Sequence, residues 1–156
     1  MSRWIFACLI LLISSCSEEG KIADQVREIP GTKWNYDQIP EFPFVIDKPS
    51  MTYNFFLKLR IQKSYPYENL YLLTHIRTPD GKIQTKRVNF TLTDDLGRPL
   101  GKSTGNSIDY ELPMFVNRKM EGAGQYSVAL EQNLRDSVVN GIESIGVKIK
   151  EGNPVF

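Results

Sequence analysis

Hydrophobic and polar residues alternate along residues 51–61 more regularly than elsewhere in the chain. The odd positions all carry large apolar side chains: Met51, Tyr53, Phe55, Leu57, Leu59 and Ile61. Four of the five even positions are polar, and Phe56 is the exception. A strand returns a side chain to the same face every second residue, whereas a helix would distribute these positions around its circumference. The pattern therefore predicts a strand with its odd positions in the core.

Shorter segments repeat this alternation: residues 42–46, 88–92, 126–130 and 147–149. Pro43 in the first of them cannot donate to a strand ladder, so we expect that strand at a sheet edge. Residues 70–76 are apolar on both faces, which predicts a central strand. Residues 108–116 are ambiguous, because Pro113 favours an edge strand or an irregular segment.

Turn-forming residues separate these segments, notably Pro79, Asp80 and Gly81 and the stretch 94–107. Residues 134–140 have mixed spacing and precede Gly141, which favours a single helical turn capped by that glycine. About seven short strands, turns between them and no long helix are typical of an all-β fold. We predict a single antiparallel β-sandwich over residues 32–156.

The N-terminus has a different pattern, in which Arg3 precedes an unbroken apolar run over residues 4–13. This layout is typical of a secretory signal, and the run is shorter than the ~20 residues of a membrane-spanning helix. Residues 13–16 resemble the lipobox of bacterial lipoproteins, where cleavage precedes a cysteine that then carries acyl chains such as palmitate. We predict a signal peptide over residues 1–15 and lipidation of Cys16. An ordinary signal cleaved elsewhere is the alternative.

Residues 16–31 are expected to form a tether between the lipid and the domain. Its first residues are small and acidic and have little apolar surface to bury. Ile22, Val26 and Ile29 fall at helical spacing, so a short amphipathic turn is the alternative to a plain flexible spacer.

Removal of the signal leaves 141 of the 156 residues, with 18 basic and 18 acidic side chains. A neutral chain of this kind lacks the basic surface that nucleic acid requires. Cys8 leaves with the signal, and acylation occupies Cys16, the other cysteine. The composition therefore excludes an intrachain disulfide, a thiolate zinc site and a cysteine nucleophile in the mature protein.

The remaining reactive residues do not form a recognisable active site. His75 is the single histidine, lies within a predicted strand and has only Thr74 and Arg77 as near candidates for partners. Asp94 and Asp95 with Asp80 lack calcium-loop spacing and are interpreted as turn residues. Serines in the stretch 101–107 have no histidine base nearby. We expect no catalytic residue, no metal site and no cofactor.

Tyr65, Tyr67 and Tyr71 are the best binding candidates. Aromatic side chains on sandwich loops provide platforms for partner proteins or for sugar rings. The alternative is that they close the open end of the core.

Several segments together resemble the gliding-motility lipoprotein GldH family. The resemblance rests on residues 53–60, 65–70, 95–101, 124–126, Gln132, Arg135, 141–142 and 145–146, in the same order behind a matching lipoprotein signal. It implies a lipoprotein associated with the outer membrane and needed for gliding, a process tied to a dedicated secretion system. It implies no reaction and no catalytic residue.

Three functions follow as hypotheses. The first is a structural or interaction module that contacts other motility or secretion proteins and is attached to the membrane through acyl chains on Cys16. The second is a carbohydrate-binding module that uses the tyrosines. The third, a hydrolase, lacks paired carboxylates or an activated nucleophile. Ser17, Glu18 and Glu19 also resemble an export tract of surface lipoproteins, and the membrane leaflet stays open.

We expect Cys16→Ser to leave the precursor uncleaved or the protein soluble, because two or three acyl chains at ~0.8 kcal/mol per buried methylene supply the membrane attachment. Fractionation of cells into membrane and soluble pools checks this. Correct processing, membrane retention and normal function of the variant would contradict lipidation.

Overall fold

The computed structural model describes residues 20–155, and nearly all of its regular structure is β-strand. The eleven strands of this part are β1 (Lys21–Glu28), β2 (Lys33–Asn35), β3 (Glu41–Ile46), β4 (Met51–Gln62), β5 (Asn69–Arg77), β6 (Ile83–Thr91), β7 (Lys102–Thr104), β8 (Ser107–Lys119), β9 (Gly124–Gln132), β10 (Val138–Asn140) and β11 (Ile142–Pro154). One 3-10 turn, Pro30–Thr32, follows β1. Within residues 20–155 no helix has the length and apolar character needed to span a bilayer. The predicted signal peptide and Cys16 lie outside the described residues.

All strand pairs are antiparallel. A five-stranded sheet has the order β1-β11-β4-β8-β7, a four-stranded sheet has the order β3-β9-β5-β6, and β10 pairs with β2 in a small ribbon. Apolar side chains from the two larger sheets form one core. The predicted antiparallel β-sandwich is confirmed. Seven of the strands are those read from the sequence, and β1, β2, β7 and β10 are additional.

Strand β4 is the centre of the five-stranded sheet, between β11 and β8. Its side chains at Tyr53, Phe55 and Leu57 are fully buried, and those at Leu59 and Ile61 are 3% exposed. The odd positions therefore face the core, as the alternation predicts. β4 forms hydrogen-bonded ladders along both of its sides, with β11 and with β8.

The predicted places of β3 and β5 are also confirmed. β3 is an edge strand whose alternate residues Phe42, Phe44 and Ile46 are buried. Leu130 N donates to Pro40 O at 3.0 Å, and the alternation of an antiparallel ladder then turns Pro43 toward the open edge, where no N–H is needed. β5 lies between β9 and β6.

The tether predicted over residues 16–31 is wrong from Lys21 onward, because Lys21–Glu28 pairs with β11 and Ile29 is buried. Ile22 and Ala23 both pack against the core. A register irregularity between Lys21 and Ala23 makes this possible, and it also disguises the strand's period of two. The apolar residues that suggested a helical turn belong to a bulged strand.

The helical turn predicted over residues 134–140 is likewise wrong. Residues 138–140 form β10, which places Val139 opposite Trp34 of β2. Trp34 is fully buried, and its Nε1 donates to Gln38 O at 2.7 Å. The ambiguous segment 108–116 is part of β8, which accommodates Pro113 opposite Phe56 through neighbouring register shifts.

Phe55→Ala should lower the free energy of unfolding by about 3–5 kcal/mol, because the buried ring contacts Phe44 and Phe115 edge-on with centroids 5.6 and 5.8 Å away. Lys58→Ala, on the opposite face of β4, loses a partly exposed ion pair with Asp24 and should cost less than about 1 kcal/mol. Urea unfolding of residues 20–155 measures both. Equal losses would contradict this register.

Candidate functional site

Tyr65 closes the core at the end of the sandwich where β4 turns toward β5. Its hydroxyl donates to Asn69 O at 3.1 Å, and its ring packs against the core. Gly141 has a φ of +88°, and a Cβ there would lie 3.1 Å from the Tyr65 Cα, so the close approach requires glycine. Burial raises the pKa of the Tyr65 phenol. Tyr65 is thus held as a packing residue.

Tyr67 meets this partly buried ring edge-on, with centroids 5.6 Å apart and planes at 75°. Its hydroxyl donates to Asp136 Oδ2. This hydrogen bond to a carboxylate favours the neutral phenol and raises the pKa of Tyr67. The contact ties the β4–β5 loop to the segment before β10.

Tyr71 on β5 is covered by the guanidinium of Arg87 on β6, whose Cζ lies 4.2 Å from the ring centroid. Arg87 is opposite Leu73 and therefore diagonal to Tyr71 on the outer face of the sheet. Its Nε donates to Asn133 Oδ1 at 2.8 Å, and Asn133 N donates to Tyr71 O at 2.9 Å. Three elements thus fix one guanidinium.

These side chains line an open groove of about 690 Å³. Its lining residues are Tyr67, Asn69, Tyr71, Arg87, Asn133, Leu134, Arg135 and Asp136. The Asp136 carboxylate already accepts from Tyr67, whereas Arg87 and Arg135 have no carboxylate partner among the described residues. The arrangement offers hydrogen-bond donors and positive charge, which suits recognition of a negatively charged or carbonyl-bearing group.

The structure therefore separates the three tyrosines predicted as a group: Tyr67 and Tyr71 line the groove, and Tyr65 supports it from the core. Arg87, Asn133 and Asp136 were not among the sequence candidates. Arg87 lies on an exposed strand, Asp136 lies in the segment 134–140 that the sequence predicts as a helical turn, and Asn133 immediately precedes that segment. A single cation on a polar strand carries no sequence signal of its role.

His75 lies on the outer face of β5, away from the groove. Its Nδ1 is 2.9 Å from Thr85 Oγ1, and its Nε2 is 2.9 Å from Glu131 Oε2. The neighbours considered from the sequence are not its partners, since Thr74 is buried on the other face and bonds to Lys86 O. Both ring nitrogens are hydrogen-bonded to side chains of the two adjacent strands, β6 and β9, so His75 links three strands of the sheet.

The acidic residues considered for calcium occupy separate turns. Asp94 accepts from the backbone N–H and the guanidinium of Arg98 and from the backbone N–H of Leu96, and these bonds lower the pKa of its carboxyl. Asp80 accepts from Lys82 and Thr78, and these bonds lower the pKa of Asp80 to about 2. Over residues 20–155 no group of three or more His, Cys, Asp or Glu is arranged to hold a metal. The turn interpretation fits these contacts.

The outer face of the five-stranded sheet carries a polar network centred on Arg60. Arg60 on β4 donates to Glu143 Oε2 at 2.8 Å and to Asp109 Oδ1 at 2.9 Å, which raises the pKa of its guanidinium. Ser107 Oγ donates to the other oxygen of Glu143 at 2.7 Å. One guanidinium is thus shared between two carboxylates, and the network ties β8, β4 and β11 together.

Because the folded state keeps the Tyr65 proton at pH values where the unfolded chain loses it, the free energy of unfolding should fall as pH rises above about 10. Tyr65→Phe has no phenol to ionise and should reduce this slope by up to about 1.4 kcal/mol per pH unit. Urea unfolding between pH 8 and 11 tests this. An unchanged slope would show that Tyr65 ionises equally in both states.

Comparison with known proteins gives a consistent result. The family described as GldH lipoprotein matches residues 21–149. A protein named "Gliding motility lipoprotein GldH homolog" from Christiangramia forsetii is 28% identical over 159 aligned residues, covering 97% of this chain and 96% of the relative. "Gliding motility lipoprotein GldH" from Flavobacterium johnsoniae is 26% identical over 150 aligned residues, covering 90% of this chain and 91% of the relative.

The match includes β1 and all strands through most of β11, together with the residues that line the groove. It also agrees with the resemblance that the sequence segments indicated. The chain therefore belongs to the GldH lipoprotein family.

Proposed function

We propose that this protein is a non-catalytic component of the gliding-motility apparatus, attached to the outer membrane through Cys16, and that it binds a partner protein of that apparatus or its secretion system through the tyrosine groove. The family and the two relatives, both named gliding motility lipoproteins, support a membrane-anchored lipoprotein with a role in gliding. The contacts in the groove support the proposed binding of a partner protein.

The observation that carries the proposal is the guanidinium of Arg87, which is held in place but has no ion-pair partner among residues 20–155. The stack on Tyr71 and the bond to Asn133 hold the side chain in place before any ligand arrives. Fixing a free arginine side chain on binding costs about 2 kcal/mol of rotamer entropy. Because the fold already restrains Arg87, less of this entropy is lost when a ligand binds. Within the part of the chain that the structure describes, its two terminal nitrogens have no hydrogen-bond partner and can bind a carboxylate or carbonyl. Preorganised arginine and tyrosine are the residues that commonly dominate binding energies at interfaces.

Gly20, the first described residue, and the groove lie at opposite ends of the sandwich. Gly20 O accepts from Glu151 N at 2.8 Å, at the end where β4 begins. The tyrosine loop follows the other end of β4, which at ~3.3 Å per residue is roughly 35 Å away. Only residues 17–20 separate Cys16 from β1, a reach of at most about 17 Å. Lipidation would hold the sandwich near the membrane with the groove facing away from it.

The ring geometry favours a protein partner over a sugar. Stacking of a sugar requires an open aromatic face. Arg87 covers one face of Tyr71, and Tyr67 and Tyr65 meet edge-on, so these rings form no shared flat platform. A polar, partly aromatic groove with a fixed arginine is the chemistry of a protein interface.

The groove chemistry also supports a role without catalysis. Its tyrosine hydroxyl at Tyr67 is bonded to Asp136 and has a raised pKa, so it stays neutral near pH 7 and is a poor nucleophile. The one histidine is committed to Thr85 and Glu131 elsewhere. Binding is the activity that these contacts serve.

Arg87→Ala should weaken recovery of the partner from detergent-solubilised membranes at least about thirtyfold, the loss expected for an interface hot spot of about 2 kcal/mol, and should impair gliding. Tyr67→Ala should act in the same direction. Quantitative mass spectrometry of material co-purified with the full-length lipoprotein measures the effect.

Arg27→Ala is the matched control, because Arg27 also lies over an aromatic ring, Phe42, at 5.7 Å but outside the groove. Equal recovery from all three variants, each folded, would locate the contact elsewhere. Turnover of a glycan or peptide by the wild-type protein would overturn the non-catalytic proposal.

A further inference from the structure

The outer strands of the two large sheets are protected to different degrees. An unpaired edge strand is a template for another chain, and proteins usually interrupt it. β1 contains the irregularity at Lys21 and Ala23, and β7 has only three residues. β3 contains Pro43, whose carbonyl also accepts from Gln25 Nε2 at 2.6 Å. Each of these three edges is bulged, short or blocked.

β6 has none of these interruptions. It pairs with β5 without a register shift over all nine residues, from Ile83 opposite Arg77 to Thr91 opposite Asn69. It contains neither proline nor glycine, and seven of its nine residues are exposed. Such a strand is long and regular enough to accept another strand along its open side.

The backbone groups on that open side can be identified from the ladder. Leu92 N donates to Glu68 O at 2.8 Å, and Thr78 N donates to Lys82 O at 2.9 Å, at the two ends of the β5–β6 pair. In an antiparallel pair, bonded and non-bonded residues alternate. Five residues of β6 therefore direct both N–H and C=O to the open edge: Ile83, Thr85, Arg87, Asn89 and Thr91.

The only charged side chain at these five positions does not block the edge. Charged edge residues often prevent pairing by projecting into the space of the next strand. Arg87 instead lies back over Tyr71 of its own sheet and is held there by Asn133. The same contacts that prepare the groove also leave the edge accessible.

We infer that the open edge of β6 binds an extended segment of a partner protein by strand addition, with an acidic side chain of that segment next to Arg87. Lys86 and Arg87 project from opposite faces of the strand. Among the described residues each contacts an aromatic ring and neither forms an ion pair. Opposite charges across neighbouring strands stabilise pairing, so the segment should be acidic.

A second copy of this chain fits the edge less well. An antiparallel pair of two β6 strands centred on Arg87, the middle residue of the strand, would set like charges against each other. The inference rests on the proposed function only in assigning the binding to a protein partner. It adds how the partner binds: through main-chain hydrogen bonds beside the groove.

The test uses the full-length lipoprotein in detergent and a displayed library of random ten-residue peptides. We expect enriched peptides to lack proline and to carry at least one acidic residue. Hydrogen exchange with such a peptide should slow at the amides of Thr85, Arg87 and Asn89, whose N–H groups face the edge, and this measurement requires no variant.

Asn89→Pro removes one of these N–H groups without breaking the β5–β6 ladder and should weaken peptide binding at least about tenfold. Val45→Pro is the matched control, since Val45 faces the open side of β3 in the same way, and should change binding less than about twofold.

Loss of binding in Asn89→Pro together with the slowed amides supports the inference. Absence of enriched peptides, equal effects of the two proline variants, or amides that exchange unchanged would overturn it. Dimerisation of the protein with protection of β6 would assign the edge to a second copy and would also overturn it. Peptides that depend on Tyr67 but leave β6 unprotected would support the proposed groove while contradicting strand addition.

Discussion

The burial of alternate side chains on β4 is the constraint on which the rest of the structure depends. β4 has a sheet neighbour on each side, and its core-facing residues pack on both the four-stranded sheet and β8. Phe55 illustrates this, because its ring meets Phe44 of β3 and Phe115 of β8. A shift of β4 by one residue would turn this apolar set outward, so the register is strongly specified. The same strand sets the distance between the two ends of the sandwich.

Those two ends have different chemistry. At the end where the chain enters, Lys48 pairs with Glu151, and Thr52 exchanges bonds with the backbone of Asn153. At the other end, Tyr65 packs against the core and supports Tyr67, and the guanidinium of Arg87 is fixed without an ion-pair partner among residues 20–155. The end where β4 begins is thus closed by ion pairs and hydrogen bonds, whereas the other end carries the open groove.

The sequence predicts the parts of the fold where side-chain period and burial agree. β4 and β9 are examples, and Pro43 correctly indicates an edge, because proline lacks an N–H. Prediction fails where packing overrides the local pattern. The bulge in β1 puts Ile22 and Ala23 in succession against the core, and β10 exists because Val139 covers Trp34.

The candidate site is harder to predict for a related reason. Tyr67 and Tyr71 are visible in the sequence as aromatic residues near a loop, but their roles depend on residues distant along the chain. Asp136 and Asn133 reach the groove only after β9 has crossed the sheet beside β5. Arg87 is a binding candidate because Tyr71 holds its guanidinium and because it has no ion-pair partner among residues 20–155. Both properties depend on residues that are distant from Arg87 in the sequence.

The central claim, that the groove end contacts a protein while the opposite end faces the membrane, is tested most directly by site-specific photo-crosslinking in intact gliding cells. A photoreactive residue would replace Arg135 at the groove or, as the matched site, Lys82 at the opposite end. We expect a discrete crosslink to a motility or secretion protein from position 135, and lipid or no protein from position 82. Protein crosslinks from position 82 alone, or equally from both positions, would contradict it.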